Sequence, residues 1–251
     1  MALNDAITYL SFDNGSGDAT DSSGNGRTFT NTNTVTYVTG KVGAFATNYV
    51  RASNQNMQRS NLAVYNPSSG TINCWIKPSS DTGANVYTIW SSSTGVGTAG
   101  IEFRLNNNMV LDMYFGADAF EVTGATALSP GTWYMATVTW NTSRKEIFLN
   151  ATSDGANETD QTLVGGSLTV YIGSRGGSAE ALDADLDEFG FWDRVLSGAE
   201  ITELYNGGAG KNPYAATGPA TLESWNTVAK ANIETMDTVA LANIETWNTV
   251  V

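Results

Sequence analysis

The chain has 251 residues, 25 Asp+Glu against 12 Lys+Arg, and a formal net charge of −13; 41% of it is hydrophobic and 15% charged. A chain this acidic is repelled by phosphate backbones and anionic headgroups, so nucleic acid and membrane surfaces are excluded as expected partners. It contains no histidine and one cysteine, Cys74, which excludes histidine-based triads, the usual zinc sites and an intramolecular disulfide.

The 26 glycines, with many Ser, Thr and Asn, point to frequent turns and an all-β fold. The first residues, MALNDAITYLSFDNG, carry neither a basic run nor a long apolar run. They read as neither a signal peptide nor a transmembrane helix, and synthesis in a host cytoplasm is expected. Residues 7–12 predict the first strand, and 13–26 a polar loop. Residues 28–38, Thr-rich and alternating, predict one edge strand, and 45–50 another strand. Residues 71–77 form a short apolar strand ended by Pro78; Ile72, Cys74 and Ile76 share a face, which places the thiol in the core. Residues 87–91 predict a further strand. Residues 100–115 are the clearest hairpin: Ile101, Phe103 and Leu105 alternate along the strand entering the turn, and Leu111, Met113 and Phe115 along the strand leaving it, about Asn106-Asn107-Asn108. Residues 133–140, bulky on both parities, predict a central strand covered on both faces, and strands at 146–149 and 168–172 complete the set.

The stretch 183–206, DADLDEFGFWDRVLSGAEITELYN, predicts a strand running into a short helix. Asp185, Asp187, Phe189 and Phe191 share one parity; Leu186, Glu188, Gly190 and Trp192 share the other. Ser197-x-x-Glu200 has the form of a capping box, Ile201, Leu204 and Tyr205 form one apolar stripe, and Gly207-Gly208 ends the helix. The pattern as a whole predicts two antiparallel sheets packed face to face.

These residues resemble the C-terminal signature of the laminin-G-like, concanavalin A-like jelly-roll domains. Phe12-Asp13 with 21–26 resembles the family's opening strand and loop, and Gly40-Lys41-Val42-Gly43 its Gly-Lys-x-Gly turn. The stretch 71–78 resembles its buried central strand, and Gly131-Thr132-Trp133-Tyr134 its Trp-Tyr strand; Phe148-Leu149-Asn150 and Tyr171-Ile172-Gly173 match two more strands. The resemblance spans about residues 7–206. It implies an all-β, two-sheet jelly-roll sandwich with a short helix near 197–206. It also implies one structural calcium at Asp21, Asn25 and Asp187, positions that answer to the family's opening-loop and closing-strand ligands; an oxygen-only set suits that ion.

Residues 207–221, rich in Gly, Pro and Ala, read as a linker, and 222–251 as three copies of an eleven-residue repeat beginning at Leu222, Ile233 and Ile244. As a helix, the repeats would gather Leu222, Trp225, Ile233, Met236, Ile244 and Trp247 in an arc of about 100°. As strand–turn units they would turn at Asn226, Asp237 and Asn248. In either form about thirty residues cannot bury such side chains alone, so these six are expected to bind a partner: the domain itself, copies in a homo-oligomer, or virion proteins. The repeats are similar to those near the ends of bacteriophage structural proteins.

Three functions follow in order of preference. The first is a non-catalytic module on a phage virion surface, binding glycan or cell-surface protein through sandwich loops and attached by its repeats. Trp90, beside a Gly- and Ser-rich stretch, is the aromatic expected on the ligand-binding rim; the other four of Trp75, Trp133, Trp140 and Trp192 are expected in the core. The second is a purely structural virion protein. The third is a glycan hydrolase using Asp183, Asp185 and Asp187, whose spacing imitates glucanase sites. Retaining catalysis needs carboxyls about 5–5.5 Å apart, and short Asp side chains span the gap poorly.

Overall fold

The computed structural model describes residues 3–60, 63–79, 86–92, 100–115, 120–158 and 169–215. The fold is a two-sheet jelly-roll sandwich. In chain order the strands are β1 (Thr8–Leu10), β2 (Thr30–Thr32), β3 (Thr36–Thr39), β4 (Phe45–Tyr49), β5 (Asn56–Arg59), β6 (Gly70–Pro78), β7 (Tyr87–Ser91) and β8 (Ile101–Leu105). Then come β9 (Val110–Phe115), β10 (Phe120–Ala127), β11 (Tyr134–Trp140), β12 (Lys145–Leu149), β13 (Thr152–Asn157), β14 (Val170–Ile172) and β15 (Ala184–Trp192), followed by the helix α1 (Gly198–Tyr205). The larger sheet runs β13-β12-β11-β6-β15-β4-β3, with β1 also paired to β15; the smaller runs β10-β9-β8-β7-β14-β5-β2. All the pairings are antiparallel.

The sheets enclose a core that includes Ile72, Cys74, Ile76, Trp90, Phe103, Met113, Val138, Trp140, Leu186, Phe189 and Phe191. Cys74 lies there as its strand pattern requires, and burial pushes its thiol pKa up. A second, smaller core covers the outer face of the larger sheet. Trp75, Met135 and Trp192 project outward and are roofed by Leu3, Leu196, Ile201 and Leu204. The central strand β11 is thus covered on both faces, as its sequence predicts.

The helix is the element where local sequence and structure agree most closely. Ser197 accepts the Glu200 N–H, the Glu200 carboxylate accepts the Ser197 N–H, and Asn206 closes the helix in the left-handed region (φ 47°). Replacing an N-cap serine typically costs about 1 kcal/mol. Ser197→Ala is therefore expected to lower the melting temperature by about 2–4 °C, and a scan of the two proteins checks it.

Four expectations change. Residues 28–38 are not one strand. Asn33 and Thr34 both adopt left-handed backbone (φ 58° and 60°), so β2 ends in the smaller sheet and β3 begins in the larger. In the 101–115 hairpin the left-handed residue is Met109 (φ 59°) rather than an asparagine; Asn106 Oδ1 instead accepts the N–H groups of Asn108 and Val110. The strict alternation across 183–192 fails because β15 carries a bulge between Asp187 and Gly190, with Glu188 at φ 50°. The bulge shifts parity by one, so that Ala184, Leu186, Phe189 and Phe191 all face the core. It also hands the edge of β15 from β4, paired to Ala184–Leu186, to β1, paired to Phe189–Phe191. Finally, the compact unit runs to Tyr214, beyond the expected boundary at 206. The Tyr214 ring packs 5.1 Å from that of Tyr9, and its hydroxyl accepts the Ala6 N–H at 2.8 Å. Residues 216–251, with all six expected partner-binding residues, lie outside the described residues.

Candidate functional site

A surface groove of about 490 Å³ opens beside the smaller sheet, lined by Arg51, Asn54, Tyr87, Ser178, Glu180 and Asp183 among others. Two loops build it. Residues Arg51–Ser53 form a single 3-10 turn closed by Asn54 at φ 48°. The buried Gln55 braces that turn: its Oε1 accepts the Val50 N–H and its Nε2 donates to Thr34 O, each at 2.6 Å. The facing loop joins β14 to β15. It leaves the sheet at Gly173 (φ 89°), where a Cβ would lie 2.5 Å from the Tyr49 ring, so glycine is required twice over. The loop folds back through the Arg175–Ala179 bridge and presents Glu180, whose carbonyl accepts the Thr88 N–H at 2.8 Å.

Behind the groove the outer face of the smaller sheet carries a chain of half-buried and buried charges. Arg104 on β8 faces Asp112 on β9, with Nε 2.6 Å from Oδ1. Burial works against the Arg104 charge, but the Asp112 hydrogen bond and the neighbouring carboxylates outweigh it and hold its pKa above the ordinary value. Arg175 lies 2.8 Å from Glu180 and 3.8 Å from Glu102. The short Arg175 contact is ionic and out of line with its N–H bonds, because the Nη1 and Nε atoms have no hydrogen-bond partner among the described residues. Asn56 Oδ1 and Ser174 Oγ on the same side of the molecule are also buried without a partner. At the mouth, the Arg51 guanidinium lies over the Tyr87 ring, 5.8 Å from its centroid. The groove thus brings an exposed guanidinium, an amide, a hydroxyl and two carboxylates around one cavity.

The residues singled out by sequence lie elsewhere. Trp90 is fully buried against Phe29, Tyr65, Phe189 and Phe191, with no face left for a ligand. A bulge in β7 between Thr88 and Trp90 is the cause: it turns inward a side chain that plain alternation would leave on the outer face. Of the five tryptophans among the described residues, Trp133 is the one outside the buried set; Lys77 Nζ lies 5.1 Å above its ring. Asp183 alone of the glucanase-like acids reaches the groove. Asp185 pairs with Lys77 at 2.5 Å and accepts Asn48 Nδ2 at 2.6 Å.

The expected calcium ligands do not form a cation cage. Asp21 accepts the N–H groups of Tyr9, Ser23 and Arg27. Asn25 turns its amide N–H toward the carbonyls of Ala6 and Ile7, and the Arg27 guanidinium also donates to Ile7 O. Asp187 Oδ2 accepts the N–H groups of Lys41 and Val42 and Oδ1 that of Glu188. These oxygens are aimed at backbone donors, and the residues act as staples for the 21–27 loop and the Gly-Lys-x-Gly turn. Among the described residues no three acidic or cysteine side chains converge as a metal site.

Nothing short in the sequence marks the groove. Arg51 and Asn54 sit in an ordinary polar turn, and Glu180 gains its place only when the 173–180 loop folds over the sheet.

A family model described as "Concanavalin A-like lectin/glucanases superfamily" matches residues 43–202. The chain belongs to that superfamily. No curated protein sequence matches this concanavalin A-like domain. Among solved structures it is similar to the binding domain of Paraclostridial Mosquitocidal Protein 1, at 16% identity and TM-score 0.65, over 81% of this chain and 52% of that one. It is similar to the botulinum neurotoxin serotype C1 binding domain at 17% identity and TM-score 0.63, over 82% and 53%. The chain therefore spans about half the length of these toxin binding domains. Domain 4 of an extracellular arabinanase from Geobacillus stearothermophilus, solved in complex with arabinotriose, matches at 17% identity and TM-score 0.64, over 79% of this chain and 97% of that domain. These likenesses establish the shared fold. Among the described residues no helix is long and apolar enough to cross a membrane.

Proposed function

We propose that this concanavalin A-like domain is a non-catalytic glycan-recognition module whose ligand sits in the groove between Arg51 and Glu180. The observation that carries the reading is the groove's mixed lining. A sugar hydroxyl both donates and accepts, and here donors (Arg51, Asn54) and acceptors (Glu180, Asp183) stand around one cavity with the Ser178 hydroxyl, which can do either. A cavity of about 490 Å³ is in the range of small-ligand sites. Support also comes from the arabinanase domain, solved with arabinotriose, a neutral oligosaccharide. The glucanase-like acids favour binding over cleavage, since Asp185 and Asp187 are engaged with Lys77 and with backbone N–H groups. One guanidinium against two carboxylates, in a chain of net charge −13, favours neutral sugars over sialylated ones.

The module's setting is also a proposal. Residues 222–251 attach it to an assembly, for which a phage virion surface is the reading, and the support is the eleven-residue repeat with its Trp, Met and Ile side chains.

The test is a glycan array followed by titration. The full chain is expected to bind neutral glycans, and Arg51→Ala to weaken binding about tenfold, the loss of roughly one charged hydrogen bond, with an unchanged melting temperature. Retention by no glycan, or full affinity in the variant, overturns the reading.

A further inference from the structure

The groove has a neighbour. A second cavity, of about 530 Å³, lies between the loop that holds Ser16 and Asp18 and the stretch that holds Asn31, Asn33, Thr36 and Tyr37. The two cavities are separated by a thin saddle. Asn33 Nδ2 donates to Asn54 O at 2.9 Å, and Thr34 O accepts from Gln55 Nε2 at 2.6 Å. Asn54 lines the first cavity, and Asn33 and Thr34 line the second.

The saddle is built with unusual backbone. Asn33, Thr34 and Asn54 all have positive φ (58°, 60° and 48°). Left-handed backbone is tolerable for asparagine but costly for a β-branched threonine. Thr34 is exposed, so no burial of its side chain offsets that cost. What holds the conformation is Gln55, only 6% exposed, which ties Thr34 O and Val50 N together and fixes both cavities relative to each other. The second cavity is rigid as well. Asn31 Nδ2 donates to the carbonyls of Gly17 and Val35, its backbone N–H bonds Asp18, and the Tyr37 hydroxyl donates to Gly17 O. Exposed side chains of Ser16, Asp18, Thr34 and Thr36 are presented around it.

We infer that the two cavities are subsites of one binding surface, and that the ligand is an extended neutral oligosaccharide lying across the Asn33–Asn54 saddle. This rests on the glycan reading of the first groove. Each cavity sets hydroxyl, amide and carboxylate groups beside apolar and aromatic surface (Tyr87 in the first, Val35 and Tyr37 in the second), a mixture that suits a chain of sugar rings with polar edges and apolar faces.

The experiment titrates the full chain with a length series of the neutral oligosaccharide that the array identifies, from disaccharide upward. Thr36→Trp fills the second cavity and Ser178→Trp the first; both positions are exposed, and melting temperatures confirm folding. Affinity of the unmodified chain is expected to rise about tenfold or more with length. Thr36→Trp is expected to abolish that rise, and Ser178→Trp to weaken binding at every length. Affinity independent of length, or a rise that survives Thr36→Trp, overturns the two-subsite inference and leaves the first groove standing. Binding of no oligosaccharide, or a Ser178→Trp chain that binds as before, overturns the glycan reading and this inference with it.

Discussion

Stability is expected to fall as pH rises from about 4.5 to about 9, and Glu188→Gln is expected to remove most of that fall. Glu188 sits in the β15 bulge, 1% exposed, with one oxygen accepting the Tyr9 hydroxyl. Burial pushes its pKa up to about 9; the Tyr9 hydrogen bond opposes this, and the adjacent Asp187 charge adds to it. Asp187 is raised to about 7, again chiefly by burial and against three backbone N–H bonds. A carboxyl with a raised folded-state pKa binds a proton more tightly in the folded chain than in the unfolded one. Its contribution is complete below the unfolded value and is lost as pH climbs to the folded value. The two sites are neighbours and titrate as a pair, so the combined loss is set at about 3 kcal/mol. For a domain of this size that is a drop of about 6–12 °C in melting temperature. Glutamine keeps an acceptor for Tyr9 without the charge. Melting curves at pH 4.5 and 9 decide it: a flat wild-type profile, or an equal slope in the variant, defeats the assignment.

The second large effect is expected at Gly155. Here β13, at one border of the larger sheet, meets β10, at one border of the smaller. Asp154 clamps them, accepting the N–H groups of Ala125 and Thr126 with Oδ2 and the Thr126 hydroxyl with Oδ1. A Cβ on Gly155 would lie 2.3 Å from Thr123 O and 3.1 Å from Gly124 Cα. Both are backbone atoms, so no side chain can swing aside, and the strands must separate. Gly155→Ala is expected to cost about 3 kcal/mol, the upper end of an overpacking penalty. Chemical denaturation measures it, and a cost below about 1 kcal/mol would show that the seam can open freely.

How much of this was legible in the sequence depends on what each feature needs. Alternation found most strands, because a buried face imposes period two wherever pairing is regular. The capping box at Ser197–Glu200 was legible because every atom it uses lies within four residues. The two bulges were not. In β7 and β15 one inserted residue reverses every later side chain, and no residue in Thr88-Ile89-Trp90 or Asp187-Glu188-Phe189 announces it. The Gly- and Ser-rich stretch beside Trp90 predicts a rim position, and the bulge in β7 turns the side chain into the core instead. Asp21, Asn25 and Asp187 are expected from the resemblance as calcium ligands; in the fold Asp21 and Asp187 accept backbone N–H groups and Asn25 donates to the carbonyls of Ala6 and Ile7, contacts set by the folded loop and not by spacing. The groove was invisible because its walls come from residues more than a hundred positions apart, brought together by the fold of the 173–180 loop; the walls of its neighbour lie within residues 15–37 but meet only through the left-handed backbone at Asn33-Thr34, which Gln55 holds.

The bond between Tyr214 and Ala6 has a further consequence. The polypeptide enters this domain and leaves it at the same spot, fastened by one hydroxyl and a tyrosine pair. Such a unit hangs from neighbouring sequence like a pendant from its clasp. It could be spliced into a longer polypeptide, or cut and rejoined at that point as a circular permutant, with both sheets keeping their strand order.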